Sequence, residues 1–286
     1  MTTRDVDRLR ALAAELRLRV VRMMGANKAH HFGGSMSAAD VVTALYFDAM
    51  RYDPKNPDWP ERDRFIMSKG HCVPAQYVAL AMLGVIPMEE LPTLKQLGSR
   101  LQGHPAMQYV PGIEGCTGSL GQGLSYANGM ALAGRIKGLD YRVYCLIGDG
   151  EMQEGQVWEA AMTSAKHCLG SVTAVIDANG LKAMDETHCG KIMEPIAARW
   201  AAMGWRTREI DGHDMAQICE ALDWAKESTD TPSVIVAHTV KGKGISFIEN
   251  NPAFHNAALT PEQLEQALAE LSDQLSAVSG RQSASG

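Results

Sequence analysis

The chain has 286 residues, of which 45% are hydrophobic, enough to bury a sizeable core in one large domain or two small ones. Its formal net charge of -6 argues against nucleic-acid and anionic-membrane partners. With no signal peptide and no apolar run approaching about eighteen residues, the sequence predicts a cytoplasmic enzyme. Several of its scattered cysteines lie in apolar runs, so buried free thiols are expected.

Helical and strand patterns alternate along the chain. The first helix is predicted over residues 5–24, and Ser37 is predicted as the N-cap of a helix over Ala38–Tyr46 after a Gly-rich loop. Further strands are predicted at 64–68, 205–210 and 233–238, and further helices at 75–82, 87–102, 124–136, 196–204, 215–226 and 259–278. This alternation predicts the α/β fold class, a parallel sheet with helices on both faces. We expect one domain over 1–278 and a disordered tail over 279–286.

The chain is organised around one stretch. Two short apolar runs, Val143–Ile147 and Val172–Asp177, flank a helical pattern at Gln153–His167 and predict a βαβ unit. Asp149 follows the first strand and Asn179 follows the second. Because the C-terminal ends of parallel strands lie at one edge of a sheet, where α/β proteins bind ligands, we expect these two side chains to lie together.

Carboxylate and amide oxygens at this edge suit Mg²⁺ or Ca²⁺. Gly148 and Gly150 allow the backbone to approach a phosphate closely, and the N-terminus of the following helix favours negative charge. The residues therefore predict a metal–diphosphate site. They leave open a tight turn capped by Asp149 beside an ordinary Asn-Gly turn.

Four other stretches have two interpretations each. The Gly-rich run Pro111–Gly123, before a small-residue helix, suggests a backbone pressed against a flat ligand or another chain. His71, at a strand–helix junction, is placed to reach a phosphate or to complete a plain turn. His31 is either a site residue or a solvated loop residue. His213, in an Asp-Gly-His-Asp turn, is either a site residue or part of a capping turn, and we expect the capping turn.

The spacing of the central motif resembles that of the thiamine diphosphate (ThDP) enzymes. Twenty-eight residues, Glu151 to Ala178, separate Gly148-Asp149-Gly150 from Asn179. Five more segments, in the right order, resemble the N-terminal half of transketolase: His31–Ser35, Ser68–His71, Gly103–Pro105, Thr117–Gly123 and Lys241–His255. The resemblance covers roughly residues 10–256. Phe32 departs from the usual proline, and Cys116 from the usual Ala, Val or Thr.

The resemblance implies roles for particular residues. It implies metal ligation by Asp149, Asn179 and the carbonyl of Leu181. It implies cofactor contacts at His71, Gly118, Ser119, Leu120, Gly148, Asp149, Gly150, Glu151, Asn179, Leu181 and His255. It implies catalytic histidines that contact sugar hydroxyls and exchange protons, namely His31, His71, His104 and His255. Glu154 and Glu159 match acidic positions at the subunit interface, with a polar helix face as the alternative.

The chain stops where a full transketolase continues with a pyrimidine-binding domain and a C-terminal domain, which supply the carboxylate that activates the cofactor. The resemblance therefore implies the N-terminal subunit of a split transketolase, which transfers a two-carbon ketol unit from a ketose to an aldose, phosphorylated or not, with ThDP and Mg²⁺ or Ca²⁺. Its partner would be a separate C-terminal subunit in an α2β2 assembly. The alternatives are the α-type subunit of a 2-oxoacid dehydrogenase-like enzyme and a non-catalytic cofactor-binding subunit.

Overall fold

The centre of the protein is a five-stranded parallel sheet. The computed structural model describes residues 4–25, 28–183 and 193–284. The sheet has the strand order β1-β2-β3-β5-β4, and neighbouring strands are parallel throughout. The strands are β1 (Arg64–Met67), β2 (Val143–Gly148), β3 (Val172–Ala178), β4 (Arg206–Asp211) and β5 (Ser233–His238).

Helices cover both faces of the sheet. They are α1 (Val6–Met24), α2 (Phe32–Ser37), α3 (Ala39–Ala44), α4 (Val73–Met82), α5 (Gly123–Lys137), α6 (Gly155–Lys166), α7 (Ile196–Ala202), α8 (Met215–Lys226) and α9 (Pro261–Ala284). Side chains of a strand alternate between the two faces. Tyr144 and Leu146 of β2 pack in the core that contains α1, α3, α4 and α8, whereas Val143 and Cys145 pack with α5, α6 and α7. The predicted α/β fold class is confirmed.

The chain after His31 differs from the prediction. Residues Phe32–Ser37 form the helix α2 rather than a loop, and Ser37 lies inside it rather than at the N-cap of the next helix. Glycine disfavours helices, but all six residues are buried, so packing outweighs intrinsic propensity here. Gly34 is needed for this packing, since a Cβ there would lie 2.6 Å from the Cys72 sulfur.

Two other predicted segments are also corrected. The helix predicted over 87–102 is only a 3₁₀ turn at Met88–Thr93, with Pro92 inside it, followed by turns. The last helix, predicted to end at Val278, continues to Ala284, and 285–286 lie outside the described residues. The disorder predicted over 279–286 stays a prediction.

The cysteines of the described ranges are free thiols, as predicted. Those at 72, 145 and 219 are buried, and those at 116 and 168 are exposed, while position 189 lies outside the described residues. Within the described ranges, no helix combines the length and apolarity that a membrane span requires.

Candidate active site

The ends of β2 and β3 bring the predicted metal ligands together. The two strands pair in register, with Gly148 opposite Asp177. The Asp149 carboxylate accepts a hydrogen bond from the Gly150 N–H (2.8 Å) and another from the Gly180 N–H (2.7 Å), so it joins the two strand ends. One residue on, the side-chain oxygen of Asn179 accepts from the Leu181 N–H at 3.1 Å. Asp149, Asn179 and Leu181 therefore lie at one edge of the sheet.

A cavity of about 560 Å³ opens at this edge. Of the eleven predicted cofactor residues, only Ser119 is outside its lining, and it is exposed. The residues that line the cavity are His31, Gly34, Lys69, His71, His104, Gly118, Leu120, Gly148, Asp149, Gly150, Glu151, Asn179, Leu181, Lys182, Ala183, Lys241 and His255. The fold thus gathers one predicted site from segments at both ends of the chain.

Four histidines form a cluster at the cavity. The ring of His31 lies 4.8 Å from that of His71, 5.3 Å from that of His255 and 6.4 Å from that of His104, measured between centroids. A second cavity, of about 570 Å³, continues from the rings of His31, His71 and His104 towards residues 94–98. Three of the predicted catalytic histidines, His31, His71 and His104, therefore line both cavities, and His255 lines the first.

Burial keeps these histidines neutral. It lowers the pKa of His31 and of His255 to about 4, and the pKa of His71 well below the ordinary value, with the neighbouring rings and Lys69 acting in the same direction. Burial and the charge of Lys95 also lower the pKa of His104. A neutral imidazole has one donor and one acceptor nitrogen, so each ring of the cluster can donate one hydrogen bond and accept another at pH 7.

A buried ion pair lies at the cavity, and neither of its residues was predicted to have a role. Lys69, 2% exposed, pairs with Asp177 at the end of β3. The same carboxylate also accepts from the Ser37 hydroxyl at 2.6 Å, from the Asn179 amide at 3.1 Å and from the Thr239 hydroxyl. Although burial opposes ionisation, the Lys69 charge lowers the pKa of Asp177. The pair therefore places a fixed cation beside the predicted diphosphate site.

Lys241 is a second cation that the sequence left without a role. Its ammonium donates to the Leu181 carbonyl at 2.7 Å and lies 2.8 Å from Nδ1 of His255. Burial lowers the pKa of Lys241, which remains close to the acidic Asp149 and Asp177. Lys69 and Lys241 each directly precede a glycine in the motifs noted above, and this is the one sequence feature that could have pointed to them.

Glu151 fastens the Gly-rich run to the turn after β2. One carboxylate oxygen accepts from the Ser68 hydroxyl at 2.5 Å and from the Gly121 N–H at 2.9 Å, and the other accepts from the Gly148 N–H at 3.0 Å. Burial raises the pKa of Glu151, and these three donors oppose the rise. The predicted cofactor residue therefore lines the cavity and also holds two of its walls together.

The two predicted interface residues are exposed. Glu154 precedes α6 and Glu159 lies on it. The same part of the surface carries apolar side chains that are at least 40% exposed, Tyr126 of α5 and Met162 of α6. The two helices are joined by Asn128, whose amide donates to the Ala160 carbonyl at 2.8 Å.

The chain is similar to known proteins along most of its length. The profile of the family described as "Transketolase, thiamine diphosphate binding domain" matches residues 8–274. A 6-deoxy-6-sulfo-D-fructose transketolase subunit of a Clostridium species is 44% identical over 95% of this chain and 98% of its own length. An apulose-4-phosphate transketolase subunit of Phocaeicola vulgatus is 42% identical over 95% of this chain and 96% of its own length. The crystal structure of transketolase from Campylobacter jejuni superposes with a TM-score of 0.86 at 30% identity, over 93% of this chain and 43% of that one. The chain belongs to the transketolase family, within which it corresponds to the thiamine diphosphate-binding domain.

Proposed function

We propose that this chain is the diphosphate-binding subunit of a two-chain transketolase, which moves a two-carbon ketol unit from a ketose to an aldose. The observation that carries the proposal is the cavity that Asp149, Asn179 and Leu181 line together with Lys69, Lys241 and four neutral histidines. The relatives support two chains rather than one. The chain spans 98% of the Clostridium subunit but 43% of the Campylobacter transketolase.

The residues present fit a hard divalent cation. Mg²⁺ and Ca²⁺ prefer carboxylate, amide and carbonyl oxygens, and Asp149, Asn179 and the Leu181 carbonyl supply one of each. The Leu181 carbonyl oxygen accepts a hydrogen bond from the ammonium of Lys241, so a cation can approach this oxygen from inside the cavity. We assign these three residues to the metal.

The diphosphate of ThDP fits beside them. Lys69 and Lys241 supply positive charge, and Gly148 and Gly150 leave the backbone accessible to phosphate oxygens. His71, the member of the histidine cluster that also lies near Lys69, is placed to donate to the same group. Once bound, the cofactor supplies the nucleophilic carbon of the reaction, and the protein supplies orientation and proton transfer.

The contact with Lys241 defines the tautomer of His255. Because the Lys241 ammonium donates to Nδ1, a neutral His255 carries its proton on Nε2. His255 then donates from Nε2 to a sugar oxygen. His31, whose ring meets that of His255 at 90°, is placed to accept a hydroxyl proton as a carbon–carbon bond breaks and to return it as the new bond forms. His104, at the far side of His31, is assigned to a hydroxyl of the ketose donor.

The other half of the site comes from a partner. Gly118 and Leu120 line the cavity and are exposed, so the cavity wall they form is open on one side. We place the C-terminal transketolase subunit on this wall and on the adjoining surface around Tyr126, Met162 and Glu159. Two copies of each chain complete the assembly. The family match favours this function over a 2-oxoacid dehydrogenase-like subunit.

Calorimetry tests the proposal. ThDP titrated into the chain together with its partner subunit is expected to bind only when Mg²⁺ or Ca²⁺ is present. Asp149→Ala is expected to abolish this binding, and Asp230→Ala, at an exposed position before β5 that lies outside the cavity lining, serves as the matched control. Metal-independent binding, or unchanged binding to Asp149→Ala, would contradict the assignment.

A further inference from the structure

A chain of polar contacts links the interior of the protein to the backbone that carries Lys241. Arg17 of α1 donates to the Asp40 carboxylate at 3.1 Å, and Nδ1 of His213 lies 2.7 Å from the same carboxylate. The other ring nitrogen, Nε2, accepts from the Val240 N–H at 2.8 Å. Val240 directly precedes Lys241.

Both ring nitrogens of His213 have fixed roles. A nitrogen that accepts from a backbone N–H carries no proton, so Nε2 is the acceptor and Nδ1–H donates to Asp40. Asp40 is 6% exposed, and the Arg17 guanidinium favours its ionised form against the cost of burial. The capping turn expected at 211–214 does exist, because the Asp211 side chain accepts from the His213 N–H at 2.8 Å. That turn accounts for the backbone of His213 but not for its ring.

The Lys241 side chain occupies a narrow path. A Cβ on Gly33 would lie 2.8 Å from Cγ of Lys241, so a shift of the lysine backbone would drive the side chain against α2. The neighbouring backbone is anchored by the Gly242 N–H, which donates to the Gly33 carbonyl at 2.9 Å. On the other side of Lys241, the anchor is the Val240 N–H on the ring of His213.

We propose that His213 is a positioning residue for Lys241. Its Nε2 fixes the backbone from which the ammonium reaches the Leu181 carbonyl and the diphosphate site, and Arg17 and Asp40 fix the ring. This inference rests on the proposed function for its effect on ThDP. The contact itself is a property of the chain alone.

Two variants separate the roles of the two ring nitrogens of His213. His213→Gln retains an acceptor near the position of Nε2, whereas His213→Asn retains a donor near Nδ1 and leaves the Val240 N–H without a partner. Loss of one hydrogen bond corresponds to about a three- to tenfold change. In the isolated chain, we expect the Val240 amide to exchange with solvent about three- to tenfold faster in His213→Asn and near the wild-type rate in His213→Gln. His238→Asn is the control, since the exposed ring of His238 hydrogen-bonds to the Glu209 side chain (2.7 Å) and takes no part in the Arg17–Asp40–His213 contacts.

A double-mutant cycle of His213→Asn and Lys241→Met tests whether His213 acts on ThDP affinity through Lys241. It is measured on the chain together with its partner subunit. His213→Asn is expected to weaken ThDP affinity in the presence of Mg²⁺ about three- to tenfold, and His213→Gln to recover most of the loss. In the Lys241→Met background, His213→Asn is expected to add no further loss, because its effect passes through Lys241.

The outcomes separate the two proposals. Unchanged exchange of Val240 in His213→Asn overturns the positioning role, and so does an equal loss of affinity with and without Lys241. A wild-type assembly that does not bind ThDP overturns the proposed function instead, and the exchange comparison still decides whether His213 holds the backbone.

Discussion

Replacement of Glu151 by Gln tests whether this side chain holds two walls of the cavity together. The carboxylate accepts from Ser68 and Gly121 on one oxygen and from Gly148 on the other. Glutamine can keep an acceptor on the first side, but its NH₂ group then faces the Gly148 N–H, a donor against a donor. A buried donor left without a partner costs about 1–3 kcal/mol.

The two remaining bonds also weaken, because hydrogen bonds to a charged group contribute about 1.5–3 kcal/mol and those to a neutral one less. Relief from burying a charge offsets part of this loss, as the raised pKa of Glu151 indicates. We expect the free energy of unfolding to fall by about 2–3 kcal/mol in urea titrations. We also expect weaker ThDP binding in the chain with its partner. Glu154→Gln, an exposed position three residues on, is expected to change stability by less than about 0.5 kcal/mol. A Glu151→Gln midpoint equal to that of the wild type would refute the reasoning.

Three further predictions concern other parts of the site. Lys69→Met leaves the Asp177 carboxylate buried without its cation, so urea unfolding is expected to show a loss of about 3–5 kcal/mol, partly recovered in Lys69→Met/Asp177→Asn; no recovery would contradict an ion-pair origin. His104→Ala is expected to keep ThDP binding in calorimetry but to raise KM for the ketose donor, whereas equal loss of ThDP in His104→Ala and Asp149→Ala would refute that division of roles. Because burial lowers the pKa of His31 to about 4, the unfolded chain binds more protons below about pH 6.5, and stability falls as the pH drops from there towards about 4. His31→Gln is expected to flatten this part of the stability–pH curve. An unchanged slope would mean that His31 binds protons equally well in the folded and in the unfolded chain.

The sequence predicted the fold where a local pattern determines it. The runs at Val143 and Val172 are apolar, short and bounded by turn residues, and they form the adjacent strands β2 and β3. The helix over Phe32–Ser37 was missed because its two glycines disfavour a helix locally, whereas burial of all six residues is a tertiary effect. At 87–102 a helix was predicted where only a short 3₁₀ turn forms, since Pro92 and the positive φ of Lys95 end the regular structure.

The site was predictable to the extent that motifs follow strand ends. Asp149 and Asn179 were expected at one edge because parallel strands bring their C-terminal ends together. Lys69 and Asp177 are 108 positions apart, and nothing local in either stretch reveals that they pair. Lys241, 60 positions beyond Leu181, was missed for the same reason. The Arg17–Asp40–His213 chain joins three elements and becomes visible only when the chain is folded.

Reconstitution of ketol transfer is the most direct test of the central claim, that this chain carries one half of a transketolase site. The chain is assayed alone, its C-terminal partner is assayed alone, and the two are then mixed, each time with ThDP, Mg²⁺, a ketose donor and an aldose acceptor. The account predicts no transfer by either chain alone, transfer by the mixture, and none when the mixture contains Asp149→Ala. Transfer by this chain alone, or full transfer by the mixture with Asp149→Ala, would contradict it.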